Sequence, residues 1–305
     1  MAYDTSDLRS QLSSAGAGAE RAAGANVAPQ YFEFERRPPT ETTAAGSRSW
    51  WGRSQSCVFN HVEAAAGDPL TRAEQTDEYV VLLPDEHPDV TVTWGEQTER
   101  VTGRALVVVP PGASAVTAAA PTTVVRLFTT RSEELCARCD NAGFYATPDP
   151  NVAAYQPWPD PPAGHRIRVY LLDDVEPDPN RFGRLFRCST LMVNYFYADP
   201  GPRDPAKLSP HHHDDFEQLS LQLAGDYVHH IRTPWTVDLA RWRDDEHQHC
   251  TSPSITVIPP PSIHTSQGVG PGVHQLVDIF CPPRFDFSER PGWVLNAEEY
   301  PMPTR

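Results

Sequence analysis

The sequence predicts a mostly β protein built as two consecutive barrels, and three observations carry that prediction. The apolar segments are short and alternate with turns rich in Gly, Pro and Asp, as the strands of a sandwich or small barrel require. The 32 prolines among 305 residues, about double the usual share, argue against long helices. The two halves also repeat: TDEYVVLLPD matches DFEQLSLQLAGD with Glu78 on Glu217, and VVVPPGASAVTA matches TVIPPPSIHTSQ with Pro110 on Pro259.

Taken along the chain, residues 1–30 are rich in Ala, Gly and Ser, with a helix start after Thr5 or Ser6, and read as a mobile arm or an interface helix. Residues 31–130 form the first barrel, with strands in EYVVLL, VTVTW, ALVVVP and TVVRLF. Residues 131–165 carry a short helical pattern and then a proline-rich linker. Residues 166–285 form the second barrel, with strands in STLMVNYFY, FEQLSLQL, DYVHHI, SITVIPP and HQLVDIF, and residues 286–305 are a tail. Between the repeat landmarks the second half is about ten residues longer, within 232–250, and a loop of that length with Trp235 and Trp242 reads as a lid.

The formal charge of −15 is spread over many loops without a basic stripe, which argues against nucleic acid or an anionic membrane surface as partner. No apolar run approaches the roughly 20 residues that span a bilayer, and a small-molecule partner and a cytoplasmic protein are expected. The only lysine is Lys207, so a Schiff-base mechanism has one candidate. The six cysteines are scattered, and reduced thiols are the default; Cys136 and Cys139 form a lone CxxC that reads as thiols on a short helix.

The segment SPHHHDDFEQLSLQLAG holds the most chemistry. If it runs as one extended strand, His211, His213 and Glu217 share a face with Leu219, Leu221 and Leu223, and two imidazoles and a carboxylate stand at the mouth of an apolar interior. His264, after the turn IPPPSI, supplies a fourth ligand. Three imidazoles and a carboxylate suit one divalent Fe, Mn, Ni, Co or Zn and leave positions open for substrate, water or dioxygen.

At these residues the chain resembles the cupin superfamily. His211, His213, Glu217 and Gly225 match its first motif; Pro259 and His264 match its second, in which Pro261 replaces a glycine and Gly268 stands where Asn is usual. The resemblance covers both halves and implies a bicupin, two double-stranded β-helix (jelly-roll) barrels per chain. In the first half the ligand positions become Arg72, Glu74, Glu78 and Ala115, which cannot bind a transition metal, so that barrel is expected to be structural or dimerising, and a homodimer is expected.

In DYVHHIR, the strand after the first motif, His229 or His230 should face the interior as a general acid or base, and Arg232 could clamp a substrate carboxylate. The leading functional reading is an Fe(II)-dependent oxygenase acting on a small polar, anionic substrate. The alternatives are an isomerase, epimerase or decarboxylase using Mn, Zn or Ni as Lewis acid, and a non-catalytic ligand-binding bicupin.

Overall fold

A computed structural model describes residues 26–304, so the predicted helix after Thr5 or Ser6 lies outside the described residues. Each half folds into two facing antiparallel sheets. The first barrel pairs a seven-stranded sheet (Arg168–Leu171, Ala105–Val109, Tyr79–Leu83, Thr122–Thr129, Cys57–Ala64, Arg48–Arg53 and Glu41–Thr42, in spatial order) with a four-stranded one of Pro69–Arg72, Ser114–Ala118, Val90–Trp94 and Gln97–Val101. The second barrel has the order Gln30–Glu33, Ser254–Ile258, Gln218–Ala224, Val273–Phe280, Met192–Tyr195 and Arg184–Arg187, with Asp199–Pro200 also on Val273–Phe280. It is faced by the three strands Glu246–Cys250, Asp226–Arg232 and Ile263–Val269.

The sheets cross the boundaries expected at 31 and 166. Gln30–Glu33 pairs with Ser254–Val257 of the second barrel, while Arg168–Leu171 pairs with Ala105–Val108 of the first. Each barrel is therefore closed at one edge by a strand from the other half's stretch of chain, which satisfies a row of backbone groups that would otherwise be open.

Periodicity explains the rest of the packing. Tyr79–Leu83 is buried at every residue, because Tyr79, Val81 and Leu83 fill the first barrel while Val80 and Leu82 face the second. Leu219, Leu221, Ile255, Val257, Val277 and Ile279 meet them from the opposite side. The apolar faces of the two barrels are thus pressed back to back. In the second barrel the alternate residues Gln218, Ser220, Gln222, Ser254 and Asp278 point inward, and its interior is polar. The expectation that Leu219 and Leu221 line that interior is corrected: it carried the two-residue alternation through residues 214–217, which are irregular, and the strand begins only at Gln218.

Glu78 and Glu217 each stand immediately before the strand that faces the other barrel, and each reaches across. Glu78 accepts from the Ser189 N–H (3.1 Å), the Ser189 O–H (2.6 Å) and the Tyr300 O–H (3.0 Å). Glu217 accepts from the Gln55 N–H (2.6 Å) and the Tyr145 O–H (3.0 Å). Tyr300 belongs to the expected tail, whose described part packs as structure: Asn296 bonds the Arg187 backbone, and Glu299 pairs with Arg168.

The first barrel's interior is closed by side chains. Trp51 and Tyr79 each stack on Phe128, and Arg126 donates to Asn60 Oδ1. Arg72 is committed to Gln75 and Glu134. Cys139 is buried, and burial pushes its thiol up to about 12, which suits an inert core cysteine.

His61 lies between the barrels, stacked on Phe34 with centroids 4.3 Å apart, and its Nδ1 has no hydrogen-bond partner. Burial lowers its pKa from 6.5 to about 4. A depressed histidine favours the folded state above 6.5, and that advantage is lost as pH falls from 6.5 through 4. At about 1.4 kcal/mol per unit it amounts to about 3 kcal/mol. Urea unfolding between pH 7 and 4.5 should show a steeper loss of stability for the native chain than for His61→Phe; parallel curves would refute the assignment.

Candidate metal centre

His211 and His264 face each other across an isolated antiparallel bridge, with N–H to carbonyl distances of 3.0 and 2.7 Å and ring centroids 4.3 Å apart. The two imidazoles are held alike. The Nδ1–H of His211 donates to the Ser209 carbonyl and that of His264 to the Ser262 carbonyl, each at 3.0 Å. A carbonyl only accepts, so in both rings the proton sits on Nδ1 and Nε2 carries the lone pair, the usual outer support of a metal-binding histidine.

His213 completes the cluster, its ring 5.1 Å from that of His211 and 5.2 Å from that of His264. It stacks on Phe216 and meets Phe280 edge-on. Burial, then the Arg284 guanidinium and the two neighbouring imidazoles, hold its pKa well below the usual value, so the ring is neutral, the form that ligates a cation. One ring nitrogen from each histidine lies within 4.8 Å of the others. Among the described residues this is the one cluster of three or more such groups arranged to hold an ion.

Glu217 does not join it. Its carboxylate faces the first barrel, bonded to Gln55 and Tyr145, and burial raises its pKa to about 7 against those hydrogen bonds. The next residue, Gln218, does face the imidazoles: its Oε1 is 2.8 Å from His213 Nε2. Its Nε2 donates to Ser220 Oγ at 3.0 Å and to Asp278 Oδ1 at 3.1 Å, and the Ser220 O–H donates to the same Asp278 oxygen at 2.8 Å. The assumption of one continuous strand through 214–217 chose Glu217; those residues are irregular, and Gln218 takes the inward-facing position.

A cavity of about 480 Å³ opens beside the cluster, lined by His211, His264, Gln218, Asp278, Arg181 and His274 among others. His274 is buried under two glycines. A Cβ on Gly225 or Gly268 would stand 2.5 or 2.8 Å from its ring, so Gly268, where Asn is usual, leaves the space that His274 fills. The His274 Nε2–H donates to the Val269 carbonyl at 2.9 Å, and its Nδ1 is buried without a hydrogen-bond partner.

The three residues expected to assist catalysis do not line this cavity. His229 is inside the barrel, but Nδ1 is paired with Ser266 at 2.9 Å and Nε2 with Gln222; burial lowers its pKa to about 3, and it lines no part of this cavity. His230, one residue on and so on the opposite face, bonds His247 at 2.7 Å and Gln267 at 3.1 Å. Arg232 is exposed and paired with Asp245, and with His230 it lines a separate cavity of about 310 Å³ that also takes in His264. The expected lid does not line the larger cavity either: Glu246–Cys250 extends the three-stranded sheet, Trp235 and Trp242 stack on each other at 4.3 Å, and Arg232, Asp245 and His247 line the smaller cavity. The walls of the larger one come from residues 179–182 and 196–203 instead, including Arg181, whose Nε and Nη1 have no hydrogen-bond partner; Nε stands 3.6 Å from Asp178.

No protein-family model and no curated protein matches the chain. Among solved structures, the chain is similar to the oxalate decarboxylase of Lactobacillus farciminis in its formate complex (TM-score 0.56, 12% identity, 85% of this chain and 88% of that one). It is also similar to the Bacillus subtilis oxalate decarboxylase whose Mn(II) centres have been characterised (TM-score 0.54, 14% identity, 88% and 80%). At such identities the likeness establishes the fold alone: two consecutive jelly-roll barrels.

Proposed function

We propose, from a bicupin fold with three imidazoles gathered beside one cavity, that the chain is a metal-dependent lyase of the decarboxylase class acting on a small carboxylic acid. The observation that carries this reading is the cluster of His211, His213 and His264, neutral or tautomerically fixed, two of which line a cavity whose wall also holds Arg181. These three residues would hold one divalent ion, with Mn the first candidate because a structural neighbour is described by its Mn(II) centres. Such an ion supplies Lewis acidity toward a bound carboxylate or carbonyl oxygen.

The chain's own residues supply the rest. Arg181, in the cavity wall and ion-paired with Asp178, would bring positive charge toward a carboxylate. Loss of CO2 leaves an electron pair on carbon that must receive a proton. Tyr227, whose pKa burial raises, stays protonated in the cavity wall and can deliver it. The oxygenase reading uses the same ligands, but the named neighbours favour decarboxylation. A homodimer and a cytoplasmic location accompany the proposal; among the described residues no helix is long and apolar enough to cross a membrane.

The test is incubation of Mn(II)-loaded protein with oxalate and a panel of small keto and hydroxy acids, following CO2 release and oxygen uptake together. CO2 without net oxygen consumption is expected. Oxygen uptake equal to substrate consumed would support the oxygenase instead, and metal binding without turnover would make the chain a ligand-binding bicupin.

A further inference from the structure

We infer that Gln218 is the fourth protein ligand of the ion, so that the centre is built from four neutral donors. The inference rests on the proposal that His211, His213 and His264 hold a divalent ion. Gln218 opens the strand Gln218–Ala224, is buried, and lines the same cavity as His211 and His264. Its amide is oriented by its neighbours. Asp278 Oδ1 accepts from both Gln218 Nε2 and the Ser220 O–H, and a carboxylate there is served by the amide nitrogen, not the amide oxygen. Oε1 is therefore the atom directed at His213.

The 2.8 Å between Gln218 Oε1 and His213 Nε2 has two readings. Two ligand atoms each about 2.1 Å from one ion and at right angles to each other stand about 3.0 Å apart, so the pair is spaced as neighbouring ligands. The rival is a hydrogen bond from a His213 Nε2–H, which would require His213 to ligate through Nδ1. His211 and His264 both spend Nδ1 on carbonyls and keep Nε2 for the ion. With Nε2 used in all three rings, Gln218 Oε1 is left as a fellow ligand. Glu217 is no competitor, because its carboxylate is engaged by the other barrel.

A neutral set has a chemical consequence. Three imidazoles and an amide leave the ion its full double charge, where a glutamate would cancel half of it. The open positions then favour an anionic chelate, a small acid with a carboxylate oxygen and a second oxygen one carbon away.

A crystal structure of the full chain loaded with Mn(II) tests the assignment, with the ion located by anomalous scattering. Gln218 Oε1 in the coordination sphere is the expected result. An ion on the three histidines with Oε1 still hydrogen-bonded to His213 would overturn this inference and leave the metal-dependent reading standing, whereas no ion at the cluster would overturn both. Calorimetric titration of oxalate into the Mn(II)-loaded native chain and Gln218→Glu gives a second readout. The substitution should weaken oxalate binding by about tenfold, since it adds a negative charge within the coordination sphere; equal or tighter binding would refute the role assigned to the neutral donor.

Discussion

His264→Ala is expected to lower divalent metal affinity by more than about 100-fold, the upper range for losing merely an outer support of a metal ligand, and to abolish turnover with it. The fold should survive. The bridge between residues 211 and 264 is made by backbone atoms, and the inter-barrel core lies on the outer face of the facing sheet. Metal content of protein purified without a chelating tag, read with the thermal transition of the apoprotein, separates the two effects. His230→Ala is the control, since His230 is bonded to His247 and Gln267 outside the cluster, and should retain full metal. A His264→Ala protein that keeps its ion would mean that the imidazole cluster is not the metal centre.

The second large effect concerns the contact between barrels. Glu78→Ala strands the Ser189 N–H, the Ser189 O–H and the Tyr300 O–H in a buried site and should cost about 3–5 kcal/mol, with each orphaned donor contributing about 1–3 before relaxation. Equilibrium denaturation measures this directly; a change below about 1 kcal/mol would show that water replaces the carboxylate. Its counterpart gives the sharper contrast. Glu217→Gln should alter stability while metal content stays within twofold of the native protein, because that carboxylate serves Gln55 and Tyr145 and does not reach the imidazoles.

What could be read from the sequence was what depends on short range. The apolar runs TVVRLF and HQLVDIF are strands, and three of the four expected ligand residues come together, because each sits in a local pattern whose geometry does not depend on distant partners. The failures have a common physical origin. Alternation of side chains is a property of continuous strand, and four irregular residues between His213 and Gln218 reset it, exchanging Glu217 for Gln218 and turning Leu219 and Leu221 toward the other barrel. Which cavity Arg232 borders, and its pairing with Asp245, are set by tertiary packing that its place in DYVHHIR does not reveal. The exchange of edge strands was invisible for the same reason: nothing in QYFE or RVYL names its partner.

That exchange also has a consequence for the order in which the chain is made. The strand Gln30–Glu33 leaves the ribosome first among the described strands, yet its partner Ser254–Val257 follows more than two hundred residues later. At roughly 5–20 residues per second, the interval is roughly 10–45 s. Throughout it, the first half lacks Arg168–Leu171 until mid-synthesis and carries an apolar outer face meant for a barrel not yet translated. Nascent chains halted before residue 254 should therefore be the species most in need of chaperones, whereas the finished protein buries the same surface.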